Sequence, residues 1–375
     1  MKFTVSTSAL QKQLSIISGV VSNNPIVPIL ENFLFELKDD RLTITASDLQ
    51  TTMITSMPIA AGSDINIAIP AKILLDTLKS LPEQPVTFEI DTDTFVVEIH
   101  SENGRYKLAG ENATDFPRVP ATTANLKISM PANVLASAIA GTIFATSNDE
   151  LRPAMTGVLF DLRPEATLLV ATDGNRLIRY KRDDLKNTEK MALIVPKKAL
   201  NLMKSALPND ETPVSVEFSK SNAFFYFGDT KMICRLIDER FPDYENAIPA
   251  SNPNKMTISR TELLASLRRI AIYANKNTHL VRFKITSDNL LISAEDLDFS
   301  NEANENLVCN YQGEEMEIGF NAKFLIEMLS SLSSKDVIFE LSAANRAGII
   351  LPSEKQENED TLMLLMPLML SSYAY

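Results

Sequence analysis

The 375-residue chain is poor in the side chains that usually carry chemistry, with two cysteines and two histidines. Cys234 and Cys309 stand far apart without Cys-x-x-Cys spacing, which supports neither a disulfide framework nor a zinc site. His100 and His279 lie in unrelated contexts, so neither a histidine metal site nor a catalytic triad is supported. Gly-x-Gly-x-x-Gly, phosphate-loop and Gly-x-Ser-x-Gly patterns are missing as well. No catalytic residue, metal ligand or cofactor is expected. No apolar run reaches the roughly 18 to 20 residues of a membrane helix, and the opening MKFTVSTSAL has no charged-then-apolar leader. The expectation is a cytoplasmic protein with no membrane partner. Positive charge is in deficit too, with 36 Lys and Arg against 48 Asp and Glu for a net charge of −12. Taken over the whole chain, that argues against a polyanion partner unless the charges are segregated.

What the sequence has is repetition. FLFELKDDRLTITASD (33–48), VLFDLRPEATLLVATD (158–173) and VRFKITSDNLLISAED (281–296) share two apolar alternations around a polar turn and a final aspartate: Asp48, Asp173 and Asp296. PAKILLDTLKSLP (70–82), PKKALNLMKSALP (196–208) and NAKFLIEMLSSLS (321–333) align without gaps. Their Leu74, Leu200 and Leu325 coincide, as do Leu81, Leu207 and Leu332 seven residues on, which is helical spacing. Pro70 and Pro196 open two of these segments, as expected of proline in a first helical turn. Residues 6–23, 129–148 and 259–276 form a third triplet that reads as helix, the first with Leu10, Leu14, Ile17 and Val21 on one stripe behind a Ser/Thr cap.

Period-2 runs follow each helix, and Asn103-Gly104 between two of them predicts a hairpin. The order within each copy is strand, helix, three strands, then the same again. The predicted class is α+β: three tandem similar domains of antiparallel sheet with two helices each, at 1–122, 123–250 and 251–375. The breaks fall in PRVPATTAN (117–125) and IPASNPN (248–254).

The six helical segments carry a formal charge of +8, which leaves −20 for the remainder of the chain. Lys72, Lys198 and Lys323 share one place in the first turn of the second helix, where a cation opposes the helix dipole at about 0.3–1 kcal/mol. A nearby phosphate backbone would relieve that; solvated lysines copied by duplication are the bland alternative. The segments lack interleaved aromatics and base-reading clusters, so any nucleic-acid contact is to phosphate, non-specific and salt-dependent.

Taken together, MKFTVS, NPIVPILENFLFEL, LRPAMTGVLF, ATDGNRL, IVPKKAL, RFPDYENAIP and the terminal LMPLML resemble the bacterial DNA polymerase III beta subunit family, the sliding clamps, over essentially the whole chain. The resemblance implies the DNA clamp fold, with sheets outside and helices inside. It further implies a head-to-tail homodimer closed into a ring around double-stranded DNA, a processivity factor with no catalysis. Partners so implied are the clamp loader, the replicative polymerase alpha subunit and other proteins with a clamp-binding motif. Their peptides would enter a pocket of Arg152, Met155, Thr172, Gly174, Asn175, Arg176, Leu177 and Pro242, with Asn321, Phe324, Leu364, Met366, Pro367 and Leu368. DNA-facing positions would be Asn24, Lys72, Lys79, Lys197, Lys198, Lys204, Arg268 and Lys323. For the joint between copies, Arg105, Tyr106 and Lys107 would meet Tyr273, Glu295, Asp296, Asp298, Glu302 and Glu305. Asn175 stands where the family often has histidine, Met369 where a basic residue often follows, and SSYAY (371–375) extends past the usual end.

Two other readings exist. A hydrolase pairing Asp173 with Asp48 or Asp296 fails because the three occupy one place in separate copies and cannot form an acid–base pair within a chain. A repeat protein that binds only peptides would share the pocket but not the basic helices. Within ATDGNRL, the aspartate reads as a turn residue and Gly174 to Leu177 as the part a visiting peptide touches.

Overall fold

A computed structural model describes residues 1–23, 25–59, 64–121 and 126–370, so Asn24 and the SSYAY extension lie outside the described residues. The first copy runs β1 (Lys2–Ser6), α1 (Thr7–Ile17), β2 (Asn32–Lys38), β3 (Arg41–Ser47), β4 (Thr51–Pro58), β5 (Ile65–Pro70), α2 (Ala71–Ser80), β6 (Pro85–Ile90), β7 (Val96–His100), β8 (Arg105–Ala109) and a short β9 (Glu111–Asn112). The second repeats the order as β10 (Leu126–Pro131), α3 (Ala132–Thr142), β11 (Gly157–Leu162), β12 (Thr167–Thr172), β13 (Arg176–Arg182), β14 (Met191–Pro196), α4 (Lys197–Ala206), β15 (Pro213–Phe218), β16 (Asn222–Phe227) and β17 (Thr230–Arg235). The third comprises β18 (Asn254–Ser259), α5 (Arg260–Ile270), β19 (Leu280–Ile285), β20 (Asn289–Asp296), β21 (Asn301–Val308), β22 (Asn310–Gln312), β23 (Met316–Asn321), α6 (Ala322–Ser331), β24 (Asp336–Leu341), β25 (Gly348–Pro352) and β26 (Glu359–Leu365). The chain adopts the predicted order of strand, helix and three strands, twice per copy, with the short strands β9 and β22 added to the first and third copies.

The opening helices are shorter than their predicted windows. Ser6 caps α1 by accepting from the Ala9 amide at 3.2 Å, and the helix stops at Ile17 before a single 3-10 turn. Residues 126–131 are strand and not helix, and in the third copy Ser259 is the cap of α5. Pro70 is likewise corrected: it ends β5 and sits at the N-cap of α2, one place before the predicted first helical turn. The 101–104 hairpin closes with the Ser101 amide donating to the Gly104 carbonyl at 2.9 Å, which makes Glu102 and Asn103 the central pair and not Asn103-Gly104.

Contacts divide the chain into two compact units, Met1–Ala136 with Lys198–Leu236, and Ser137–Lys197 with the residues from Ile237 on; the middle copy contributes strands to both. In the first unit a nine-stranded sheet has the order β10-β15-β16-β17-β4-β3-β2-β5-β9 beside a four-stranded β1-β6-β7-β8. In the second the orders are β14-β11-β12-β13-β26-β25-β24-β18-β22 and β21-β20-β19-β23. Each large sheet is a fusion of two copies, joined by β17 against β4 in one and by β13 against β26 in the other, both antiparallel.

Alternation along the strands and the helical stripes meet in dry cores. Leu10, Leu14 and Ile17 of α1 and Leu74 and Leu78 of α2 are fully buried in the first unit. Leu263, Leu267, Leu325 and Leu329 do the same for α5 and α6 in the second. Each such side chain contributes roughly 1.5–3 kcal/mol, which fixes which face of each helix is left for solvent.

Candidate functional site

The site is built around the turn Asp173 to Arg176 in the second unit, where β12 and β13 pair with Thr172 opposite Leu177. Asp173 Oδ1 accepts from the amides of Asn175 (2.9 Å) and Arg176 (3.1 Å). Thr172 Oγ1 donates to the Arg176 carbonyl at 2.7 Å and accepts from the Gly174 amide at 3.1 Å. Gly174 has φ +91°, which a side chain opposes, and a Cβ there would stand 3.0 Å from Arg152 Nη1. The repeated aspartates do the same work elsewhere: Asp48 accepts from the Gln50 and Thr51 amides, and Asp296 from the Asp298 amide. They are turn residues in all three copies, as their repetition predicts.

Arg176 is the centre of the site and is only 6% exposed. Its Nε donates to Asp173 Oδ2 at 3.1 Å, Nη1 to Glu327 Oε2 on α6, and Nη2 to the Phe144 carbonyl at 2.6 Å. The guanidinium lies over the Phe324 ring at 4.4 Å and the Phe144 ring at 5.3 Å. A planar fork that stacks and donates at once suits this enclosure as lysine would not. Enclosed and donating to three acceptors, Arg176 holds the turn against α6. Asn321 is similarly committed, accepting from the Lys323 and Phe324 amides as the N-cap of α6 and donating to the Thr278 carbonyl.

The tail completes the site. β26 lies along β13 with Leu177 opposite Leu364, after which the Met366 amide donates to the Asn175 carbonyl and the Leu368 amide to the Gly319 carbonyl, both at 2.8 Å. At Gly319 a Cβ would come within 2.7 Å of the Leu368 carbonyl, so the close crossing requires glycine. Leu177 and Leu364 belong to one apolar cluster with Leu159, Val170, Ile194 and Tyr244, against which Ala154, Phe241, Ile248 and Leu362 pack while partly open to solvent. Met155, Pro242, Pro367 and Leu368 are half-buried, whereas Arg152, Gly174, Asn175 and Met366 are exposed. Tyr244 is anchored from below, donating to Asp161 Oδ2 at 2.9 Å, and Arg163 bonds both partners. Burial first, then Asp161, pushes the Tyr244 phenol up, so it stays a donor. Phe144, Phe241, Ile248, Glu327 and Leu362 are members that sequence reasoning missed. The apolar positions within RFPDYENAIP were a usable signal for Phe241 and Ile248.

Lys72, Lys79, Lys198, Lys204, Arg268 and Lys323 are all exposed, and Lys197 is half-buried with Nζ donating to Asn148 Oδ1 at 3.0 Å. Not all of the positive charge counted on the helices is free. Lys198 is held by the carboxylate of Asp48, Arg269 forks onto Glu305 with both bonds at 2.7 Å, and Arg260 donates to the Ser334 and Leu329 carbonyls. The dipole penalty at Lys198 is thereby relieved within the protein, by a carboxylate and not a phosphate.

Arg105, Tyr106 and Lys107 form β8, an edge strand of the first unit, and β21 is an edge strand of the second. Arg105 bonds Glu98 on its own sheet. Glu295, Asp298 and Glu302 are exposed and Tyr273 is 43% exposed, next to Ile272 at 77%. Asp296 is corrected as an intermolecular charge, since it is 4% exposed and committed to its turn, and Glu305 is already paired with Arg269. Among the described residues no group of three or more His, Cys, Asp or Glu is placed to hold a metal ion, and no helix is long and apolar enough to cross a membrane.

Tandem copies of two helices backed by antiparallel strands, fused through shared sheets, define the DNA clamp fold. The three domain models of the DNA polymerase III beta subunit match residues 1–120 (N-terminal), 129–243 (central) and 245–368 (C-terminal). The beta sliding clamp of Proteus mirabilis is 31% identical over 348 residues, covering 92% of this chain and 94% of that protein. That of Haemophilus influenzae is 29% identical over 375 residues, 99% and 100% of the two chains. A crystal structure of the Pseudomonas aeruginosa sliding clamp bound to griselimycin superposes with a TM-score of 0.93 at 26% identity, over 99% of this chain and 100% of that one. The chain belongs to the DNA polymerase III beta subunit family, the bacterial beta sliding clamps.

Proposed function

We propose that the protein is a DNA sliding clamp: two copies close head to tail around duplex DNA and tether the polymerase, without catalysing a reaction. The observation that carries this reading is the end-to-end match, 92% of the chain at 31% identity, to a beta sliding clamp. On this reading the chain is three clamp domains at 1–122, 123–250 and 251–375, working in the cytoplasm. Lys72, Lys79, Lys197, Lys198, Lys204, Arg268 and Lys323 face DNA and screen phosphates without reading bases. Peptides from the clamp loader, the polymerase alpha subunit and other partners lie on the cluster of Leu177 and Leu364. Met155 and Met366 adapt to each peptide, while Gly174, Asn175, Arg152, Pro242, Pro367 and Leu368 border it. Thr172, Arg176, Asn321 and Phe324 keep that border rigid from beneath.

The test is retention. Loaded onto nicked circular DNA the protein stays bound, and it is lost when the circle is linearised; equal retention on both forms overturns a topological mechanism.

A further inference from the structure

The 14 methionines of the chain differ sharply in their access to solvent. Met53, Met203, Met232, Met256 and Met328 are fully enclosed, and Met130 and Met363 are at most 3% exposed. Among the described residues only three methionines are open: Met1 at 48%, Met366 at 43% and Met369 at 78%. Two of these three stand in the tail that crosses the docking site. Backbone hydrogen bonds hold them there, the Met366 amide on the Asn175 carbonyl and the Leu368 amide on the Gly319 carbonyl. Leu368 and Leu370 are half-buried, and Leu370 Cδ2 lies 2.9 Å from where a Cβ on Gly319 would stand. In an extended run the residue between two inward side chains points outward, as Met369 does.

We propose that Met366 and Met369 form a reversible oxidation site through which a peroxide weakens peptide docking. The thioether sulfur gives an electron pair to one oxygen of hydrogen peroxide. The O–O bond breaks, an S–O bond forms and water leaves, so sulfur is oxidised by two electrons and the peroxide is reduced by the same two. Reversal consumes two thiols, which pass to a disulfide while the sulfoxide returns to thioether and water is released. Reactivity follows exposure, so the tail reacts while the enclosed methionines are spared. The cysteines do not compete: Cys234 is 1% and Cys309 7% exposed, and burial pushes both thiols up, Cys234 to about 12, which keeps the reactive thiolate scarce.

The consequence follows from where the sulfurs lie. A thioether is apolar and adaptable, which suits a surface that meets varied peptides. A sulfoxide is a strong acceptor, hydrated while the site is free. A peptide lying on the cluster of Leu177 and Leu364 strips that water away and leaves the acceptor unpaired, which weakens binding by about 5- to 150-fold. Met366, two residues after Leu364, carries most of the loss, and Met369 at the rim carries less. The fold is unaffected, because neither side chain is part of a core.

The switch rests on the peptide-docking reading of the site, and its test keeps the two apart. The full chain is treated with hydrogen peroxide, quenched with free methionine and mapped by mass spectrometry. A fluorescein-labelled peptide carrying the clamp-binding motif of the polymerase alpha subunit is titrated in parallel. Met1, Met366 and Met369 are expected to gain one oxygen each before any enclosed methionine, with Tm unchanged. Peptide affinity is expected to fall by about 5- to 150-fold and to return with a methionine sulfoxide reductase and a dithiol. In a Met366→Leu, Met369→Leu chain, which still oxidises at Met1, treated and untreated protein are expected to bind alike. Met366→Gln, a polar side chain placed without peroxide, is expected to reproduce the loss. Equal affinity with both tail sulfoxides present overturns the switch, as does a loss that persists in the double leucine chain. Untreated parent protein that fails to bind the peptide removes the docking reading itself.

Discussion

The aspartates that end the first two repeats, Asp48 and Asp173, divide their two oxygens between two tasks, and the division can be tested one oxygen at a time. In Asp48, Oδ1 serves the turn and Oδ2 holds Lys198, whose side chain is 60% exposed. Asp48→Asn keeps an accepting oxygen for the turn and removes the charge that restrains Lys198. The expected outcome is an unchanged Tm and DNA binding tighter by roughly 1.4- to 5-fold at low salt, the range given by 0.2–1 kcal/mol for an exposed pair. A fluorescence titration at two ionic strengths checks it, and no change in affinity would place Lys198 off the DNA path. Gly174→Ala tests the neighbouring turn: φ +91° costs a side chain about 1–2 kcal/mol, while the Arg152 tip can swing away. A lowered Tm with a weakened response to a polymerase-derived peptide is expected in calorimetry. The role of these aspartates was legible because three copies agree where only one is followed by glycine. The enclosure of Arg176 was not, because it depends on Phe144 and Phe324, which no local pattern connects to it.

The elements were easier to read than their neighbours. Period-2 and helical spacing locate strands and helices, since they report which face of an element is dry. The same spacing is silent on which strand lies beside which, so the fusions of β17 with β4 and of β13 with β26 came only with the structure. At the second fusion Arg176→Met removes the charge from three acceptors and leaves the half-buried Phe144 carbonyl without its donor. A loss of about 3–5 kcal/mol is expected, as for a broken buried pair, with hydrogen exchange rising first in α6. Glu327→Gln costs less, because that carboxylate is half exposed. The fusion also carries an acid-sensitive contact. Burial raises the Asp360 carboxyl, but Lys355 and then Arg179 of β13 outweigh it and hold it below its ordinary 3.8. A depressed folded value means the contribution is complete above pH 3.8 and fades as pH falls through the lower folded value. Asp360→Asn removes that contribution at neutral pH and flattens this part of the acid unfolding curve, followed by circular dichroism.

For the molecule as a whole, the net charge of −12 and the exposed lysines make opposite demands on a DNA-bound protein, and salt separates them. Phosphate contacts weaken by the release of counterions, so open association with DNA falls steeply with ionic strength. At about 1 M salt the screening length is roughly 3 Å, and exposed lysines contribute little attraction. A closed ring does not depend on that attraction once it encloses the duplex, because escape requires the joint to open or the DNA to end. The protein loaded on circular DNA is therefore expected to survive a wash at about 1 M salt, and a single cut in the circle is expected to release it within the time of sliding. A Lys107→Glu chain, with like charges facing across the joint, is expected to leave the circle without any cut, and adding Glu302→Lys is expected to restore retention. Gel filtration of loaded DNA before and after cutting measures all three. Release of the parent chain by salt alone would mean that the lysines, and not closure, hold it there.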